Sequence, residues 1–320
     1  MDMRIVNLPV LIVSTFLLAA CQSNKEVKMG TALQEQKLQF TCIKEADHLP
    51  PLDPQADVWF KQARAMEKAP GVKNYDAIGS LYRQAIAKDH YKAMRNLQNL
   101  LLEGLVKPLP GYSPTGEAVE IVEKMIKLNI PAGSYAMGYY LENGYGVKQD
   151  KMASLAFYRK AADLGNPEGQ YVIGNLFLSK VFPDWSKNPA YRPEIGKKML
   201  DCSVNQGHGE SGFELANYYR IAEKNYVMAL KYYQSGAMYG DIYSAMRLTK
   251  TFNNPKHDDS DYLGVTPDPE RVRRYKLIEH EIDSNPSARF PDIDKIVPLP
   301  PAELPKWDGT FEYKKEPQPQ

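Results

Sequence analysis

Histidine and cysteine would be the first residues to reveal chemistry through their spacing, and both are sparse here. The five histidines, His48, His90, His208, His257 and His280, include no i,i+4 pair of the kind that holds zinc from one helix face. His257-Asp258-Asp259-Ser260-Asp261 could be drawn as a cation site, but it lies in a long polar insertion, where such side chains are normally solvated. Cys21, Cys42 and Cys202 are too few for a four-thiolate cluster. No Gly-x-Ser-x-Gly, His-Glu-x-x-His or Gly-Lys-Ser/Thr signature occurs. Gly144-Tyr145-Gly146-Val147 joins two helical stretches without a preceding strand, so it is no phosphate loop. Arg271, Arg273, Arg274 and Lys276 are interleaved with Glu270, Glu279 and Glu281 and read as an exposed helix face. The residues therefore predict no enzyme, metal or cofactor, and what remains is binding.

The composition narrows the partner. The chain has 320 residues, with 40 Lys+Arg against 39 Asp+Glu, so its bulk charge recruits neither nucleic acid nor an anionic membrane. Hydrophobic residues at 43% and charged residues at 25% are those of a folded globular chain. The 21 tyrosines are the unusual count and ask for a structural reason.

The N-terminus reads as an address. Arg4 precedes an apolar run from Leu8 to Ala20, shorter than the roughly 20 apolar residues a membrane span needs. Leu18-Ala19-Ala20-Cys21 resembles the lipobox of bacterial lipoproteins. That resemblance implies a signal peptide over 1–20, acylation of Cys21, and a soluble body tethered to a membrane. Gln22 after the cysteine implies the outer membrane, periplasmic face. Residues 21–54 read as tether and lead-in. In an oxidising compartment the two remaining thiols, Cys42 and Cys202, either bridge or stay buried and unpaired.

The elements that must carry any binding residues are helical hairpins. In 133–168 one apolar helix follows Pro131 and stops at Asn143-Gly144. A second opens at Asp150, spaces Ala153, Ala156/Phe157, Ala161 and Leu164 at helical intervals, and closes at Gly165. Small residues at Ala136, Gly138, Ala153, Ala156 and Ala161 let the pair approach, and tyrosines fill between layers. Weaker copies recur with closing positions Asp89, Asn129, Gly165, Gly207 and Gly240, spaced 40, 36, 42 and 33 residues apart. Asp57 to Ala69 reads as an N-terminal cap helix. Residues 284–320 are Pro-rich, and the interleaved Ile293, Ile296, Leu299, Leu304 and Trp307 predict that they dock on the body, with its groove as one place for them.

Met137-Gly138, Gly144-Tyr145-Gly146-Val147, Asp150 and Ala161-Ala162-Asp163-Leu164-Gly165 resemble the Sel-one-like repeat, a relative of the tetratricopeptide repeat. The resemblance covers about 55–283 and implies an all-α fold, an α–α solenoid wound as a right-handed superhelix, with first helices lining a concave face. Aligned to the repeat, the groove-facing positions are Asn96 and Asn99, Ala136 and Tyr139, Val172 and Asn175, Glu214 and Asn217, and Arg247 and Lys250. Amides, one aromatic, an acid and two bases suit a specific protein ligand better than a polyanion or a small-molecule substrate. The Phe-x-Cys lead-in, the Trp59 helix and the Pro-Leu-Pro-Pro…Leu-Pro-x-Trp-Asp-Gly tail are also similar to Sel-one-like lipoproteins of proteobacteria, some of which resemble immunity proteins of type VI secretion lipase effectors. The expectation is a tethered protein-binding chain, either such an immunity protein or a scaffold of a cell-envelope complex.

Overall fold

The computed structural model describes residues 39–181, 187–253 and 255–314; the leader and Cys21 lie outside them. The described residues form six antiparallel helical hairpins. They are α1 (Pro54–Lys68) with α2 (Tyr75–Ile86), α3 (Tyr91–Leu102) with α4 (Pro114–Lys127), and α5 (Pro131–Asn143) with α6 (Lys151–Asp163). Then follow α7 (Pro167–Leu178) with α8 (Pro193–Val204), α9 (Gly209–Tyr218) with α10 (Tyr226–Met238), and α11 (Ile242–Phe252) with α12 (Pro269–Ser284). A short α13 (Ile293–Ile296) lies in the tail. No strand occurs among the described residues beyond one isolated bridge, Val181 to Lys187. None of their helices is long and apolar enough to cross a membrane.

Local chemistry sets the boundaries. Side-chain oxygens of Asp53, Asn74, Ser113, Asp150, Asn166, Asn225, Asp241 and Asp268 accept first-turn N–H groups, and proline opens α1, α4, α5, α7, α8 and α12. All five closing positions have positive φ, including the non-glycines Asp89 (59°) and Asn129 (57°). Ser113 caps α4 at Pro114. One expectation shifts. The N-terminal cap helix is the first member of a full hairpin, because α2 packs back on it: Tyr82 Oη donates to Glu67 Oε1 at 2.8 Å.

The core is serial, as a solenoid requires, with apolar clusters following one another from α1 to the tail. Tyrosine recurs because each ring fills the space between helices while its hydroxyl reaches a polar group at the rim. Tyr158 Oη donates to Glu142 (2.7 Å), Tyr232 Oη to Asp201 (2.7 Å) and Tyr233 Oη to Asn217 (2.7 Å), all from buried rings. Phenylalanine would supply the area but leave those partners unmet.

Two non-repeat segments seal one edge of the stack, the edge where each hairpin turns into the next. The lead-in runs back along it as a strap. Cys42 is bonded to Cys202 of α8 (Cα–Cα 5.6 Å), Ile43 O accepts from Gln170 Nε2 (3.0 Å), and Glu45 N donates to Gln206 Oε1 (2.8 Å). Gly165 is needed for this approach: a Cβ there would stand 2.6 Å from the Lys44 carbonyl carbon. The tail meets the same edge at Gly240, where a Cβ would sit 2.7 Å from Ala288 O.

From there the tail packs on α10 and α12, the second helices of the last two hairpins, rather than in the groove. Phe290 N donates to Met238 O (2.8 Å), Gln234 Nε2 to Asp294 Oδ1 (2.7 Å), and Phe290, Ile293, Ile296 and Val297 are buried. This contact overturns the reading of the basic run as an exposed face for Arg271 and Arg274, while Arg273 and Lys276 are exposed. Arg271 and Arg274 are 7% and 4% exposed. Arg271 Nη2 donates to Pro298 O (3.0 Å) and Ala302 O (2.5 Å); Arg274 donates to Ile296 O and to Pro305 O (2.8 Å). A Pro-rich segment builds no ladder for its own carbonyls, and guanidinium forks supply the missing donors. Arg273 and Arg274 hold the Glu270 carboxyl down at about 2, with the Arg273 hydrogen bond as the largest cause.

Candidate protein-binding face

The first helices α3, α5, α7, α9 and α11 present one face. Arg95 of α3 pairs with Glu168 of α7, passing over the small residues Ala132 and Ala136 of α5. Side chains two hairpins apart meet only where the stack bends toward the first helices, so this face is concave.

The sequence-predicted residues distribute over three hollows. Asn99 and Tyr139 line a cleft of about 570 Å³ with Arg95, Tyr135, Tyr140 and Tyr145. Tyr139 is 41% exposed, and its ring centroid lies 5.7 Å from that of Tyr145. Asn175, Glu214 and Asn217 line a second cleft of about 590 Å³ with Tyr218 and Ile221. Asn96 borders a smaller hollow with Phe60 and Tyr91, and its Nδ2 donates to Tyr82 Oη (3.0 Å). Ala136 is buried and Val172 half-buried. Arg247 is half-buried, tied to Asp261 and to Ser260 O (3.4 Å), while Lys250 is exposed. Arg247 and Lys250 line neither large cleft.

Some groove positions escape a two-per-helix alignment. Arg95 and Tyr135, which line the first cleft, each precede a predicted position by one residue, and a helix presents a stripe wider than two positions. Widening each pair to i−1 would have found them. Asn217 is held for contact by a buried hydroxyl: its Oδ1 accepts from Tyr233 Oη, which leaves its amide donors toward the groove. Burial, with the neighbouring Asp241 and Glu210 carboxylates, pushes the Glu214 carboxyl above its ordinary range. Burial pushes the Tyr171 hydroxyl up to about 12. Among the described residues no group of three or more His, Cys, Asp or Glu could hold a metal ion.

Two histidines serve as helix caps. His90 Nδ1 accepts from Ala93 N (3.1 Å) and His208 Nδ1 from Ser211 N (3.3 Å), roles open only to a ring nitrogen without a proton. Burial lowers both pKa values; Asp57 opposes it at His90, and Glu168, Glu210 and Asp241 oppose it at His208. The neutral caps therefore stabilise fully above the unfolded imidazole pKa of about 6.5 and are lost as the pH falls below it. Each lost cap costs about 0.5–2 kcal/mol. The buried carboxyls Glu45, Glu214 and Asp241 act in the opposite sense, since their raised pKa values favour the fold on acidification. Comparison with His90→Asn/His208→Asn isolates the caps. The variant should lose less melting temperature than the wild type between about pH 7 and 5, and equal losses would exclude the effect.

Comparison with solved structures identifies the family. The immunity protein Pa5087 from Pseudomonas aeruginosa is 35% identical, with 82% of this chain and 95% of that one covered and a TM-score of 0.64. The immunity protein PA5088 from the same organism is 34% identical, with 83% and 95% covered and a TM-score of 0.68. The chain belongs to the family of these immunity proteins. A Sel1 repeat protein from Oxalobacter formigenes shares the fold at 18% identity, with 82% and 98% covered and a TM-score of 0.54. The fold of this family member is thus the all-α solenoid of Sel1-like repeats. Residues 244–320 match a domain of unknown function, DUF6396. That span takes in α11, α12 and the docked tail, which fold together. A curated relative, chitin synthase regulatory factor 3 of Schizosaccharomyces pombe, is 24% identical over 261 residues. The match takes in 72% of this chain but spans only 26% of that protein's length.

Proposed function

We propose that this protein is an immunity protein, which binds a delivered effector through its concave face and neutralises it without catalysis of its own. Kinship at 34–35% identity over 95% of the length of two immunity proteins is the observation that carries this reading. The open clefts around Asn99/Tyr139 and Asn175/Asn217 support it, since aromatic and amide side chains on a rigid face are what protein hot spots use. The resemblance of Leu18-Ala19-Ala20-Cys21 to a lipobox supports an outer-membrane tether facing the periplasm. The effector is then a type VI secretion enzyme of the lipase type. An adaptor role in an envelope complex is the second reading, favoured by the likeness to a regulatory factor.

The test is stoichiometric inhibition of a lipase effector encoded beside this gene. Wild-type protein should bind and silence it. Tyr139→Ala, which removes an exposed ring, should weaken binding by about 2 kcal/mol or more, as for a central aromatic contact. No complex with that enzyme, alongside capture of an envelope-assembly component, would favour the adaptor.

A further inference from the structure

One edge of the stack is sealed by the strap and the tail; among the described residues no such segment covers the opposite edge, made of the loops inside each hairpin. Neighbouring loops touch at both ends of this edge. Loops 69–74 and 103–113 share a hollow lined by Val72 and Leu105, and Lys107 pairs with Asp76 at 3.4 Å. Loops 179–192 and 219–225 share the second cleft through Lys180 and Ile221, and Arg220 Nη1 reaches Ser260 O of the next loop at 2.8 Å.

Of the thirteen exposed large apolar side chains among the described residues, nine stand on these loops or on the first two residues of the helix that follows. Val72 is fully exposed and Ile221 is 64% exposed, with Leu105, Leu109, Tyr145 and Val181 between them along the edge. Lysine accompanies them: Lys73, Lys148, Lys151 and Lys224 lie on or beside the same loops and make no ion pair with the described residues, while of the acids there Asp150 caps α6, Glu223 pairs with Lys197 and Glu103 is exposed. The balanced charge of the whole chain conceals this edge. It ends at loop 253–268, where Asp258, Asp259 and Asp261 reverse the sign.

We propose that this loop edge of hairpins one to five is a lipid-contact surface, whose apolar tips enter the headgroup layer of an anionic membrane while its lysines meet phosphates. Charge complementarity selects an anionic phospholipid, because apolar tips ringed by unpaired ammonium groups suit that surface better than a neutral one. Tyr145 and Ile221 also line the two clefts, so the edge and the concave face share a margin there, whereas Val72 and Leu105 lie outside both clefts.

The test is amide hydrogen exchange of the full chain with vesicles of equal phosphatidylglycerol and phosphatidylethanolamine, and with phosphatidylcholine alone. Exchange in 69–74, 103–113, 144–150 and 219–225 should slow several-fold on the anionic vesicles, with the strap edge unchanged. K148E/K151E/K224E, all at exposed sites, should abolish that slowing and retain the wild-type melting temperature. Protection on phosphatidylcholine equal to that on anionic vesicles, or none at these loops on either, overturns the proposal. Protection of 69–74 and 105–113, which lie outside both clefts, by a lipase effector without vesicles assigns the edge to a protein and overturns it too.

Discussion

Replacing Cys42 and Cys202 with serine is expected to lower the unfolding free energy by about 3–5 kcal/mol. The bond closes a loop of 160 residues and so restricts the unfolded chain heavily. Its native partners amplify the loss. The strap it anchors supplies Glu45 N to Gln206 and Ile43 O to Gln170, and covers Asn166, whose Nδ2 donates to Glu45 Oε1 at 3.2 Å. Repeats otherwise couple only to their neighbours, whereas the strap ties the third and fourth hairpins to the start of the first. Guanidinium unfolding of wild type and variant, with tyrosine fluorescence as readout, should therefore show a lower midpoint and a broader transition. A shift below about 1 kcal/mol would show that the strap is held without its bond.

Arg274→Ala is expected to cost about 3–5 kcal/mol, because it leaves two tail carbonyls without the donor that satisfies them and removes one of the two arginines on Glu270. The site is 4% exposed, so water cannot replace the guanidinium. The tail should come away as a unit, since Arg274 also lies 5.6 Å from the Trp307 ring centre. Limited proteolysis should then cut rapidly beyond Asp283, and Trp307 fluorescence should shift to the red. Arg273→Ala, at a half-exposed side chain outside the carbonyl network, should change stability by less than about 1 kcal/mol. A tail equally resistant in Arg274→Ala and wild type would mean that apolar burial alone holds it.

The hairpins were legible because their punctuation is local. Asp89, Asn129, Gly165, Gly207 and Gly240 mark the chain reversals by residue type, and all five adopt positive φ. The strap and tail were less legible, because what fixes them is contact across more than a hundred residues or between unlike segments. Gly165 reads in sequence as a helix terminator, and only the fold shows Lys44 pressed against it. Arg271 and Arg274 sit among glutamates as solvated residues do, and their burial depends on proline carbonyls about thirty residues downstream. On the groove, alignment gave the direction of the face but not its width. It selected Tyr139 and Asn217, which line the clefts, passed over Arg95 and Tyr135, and included Arg247, whose charge is spent on Asp261.

The central claim is that the first helices grip a polypeptide. Amide hydrogen exchange of the full chain, with and without the effector it is proposed to bind, tests that claim most directly. The account predicts slowed exchange along α3, α5, α7 and α9 in the complex, with α4, α6 and α8 unchanged. Protection confined to the second helices, with the first helices exchanging as in the free protein, would contradict it.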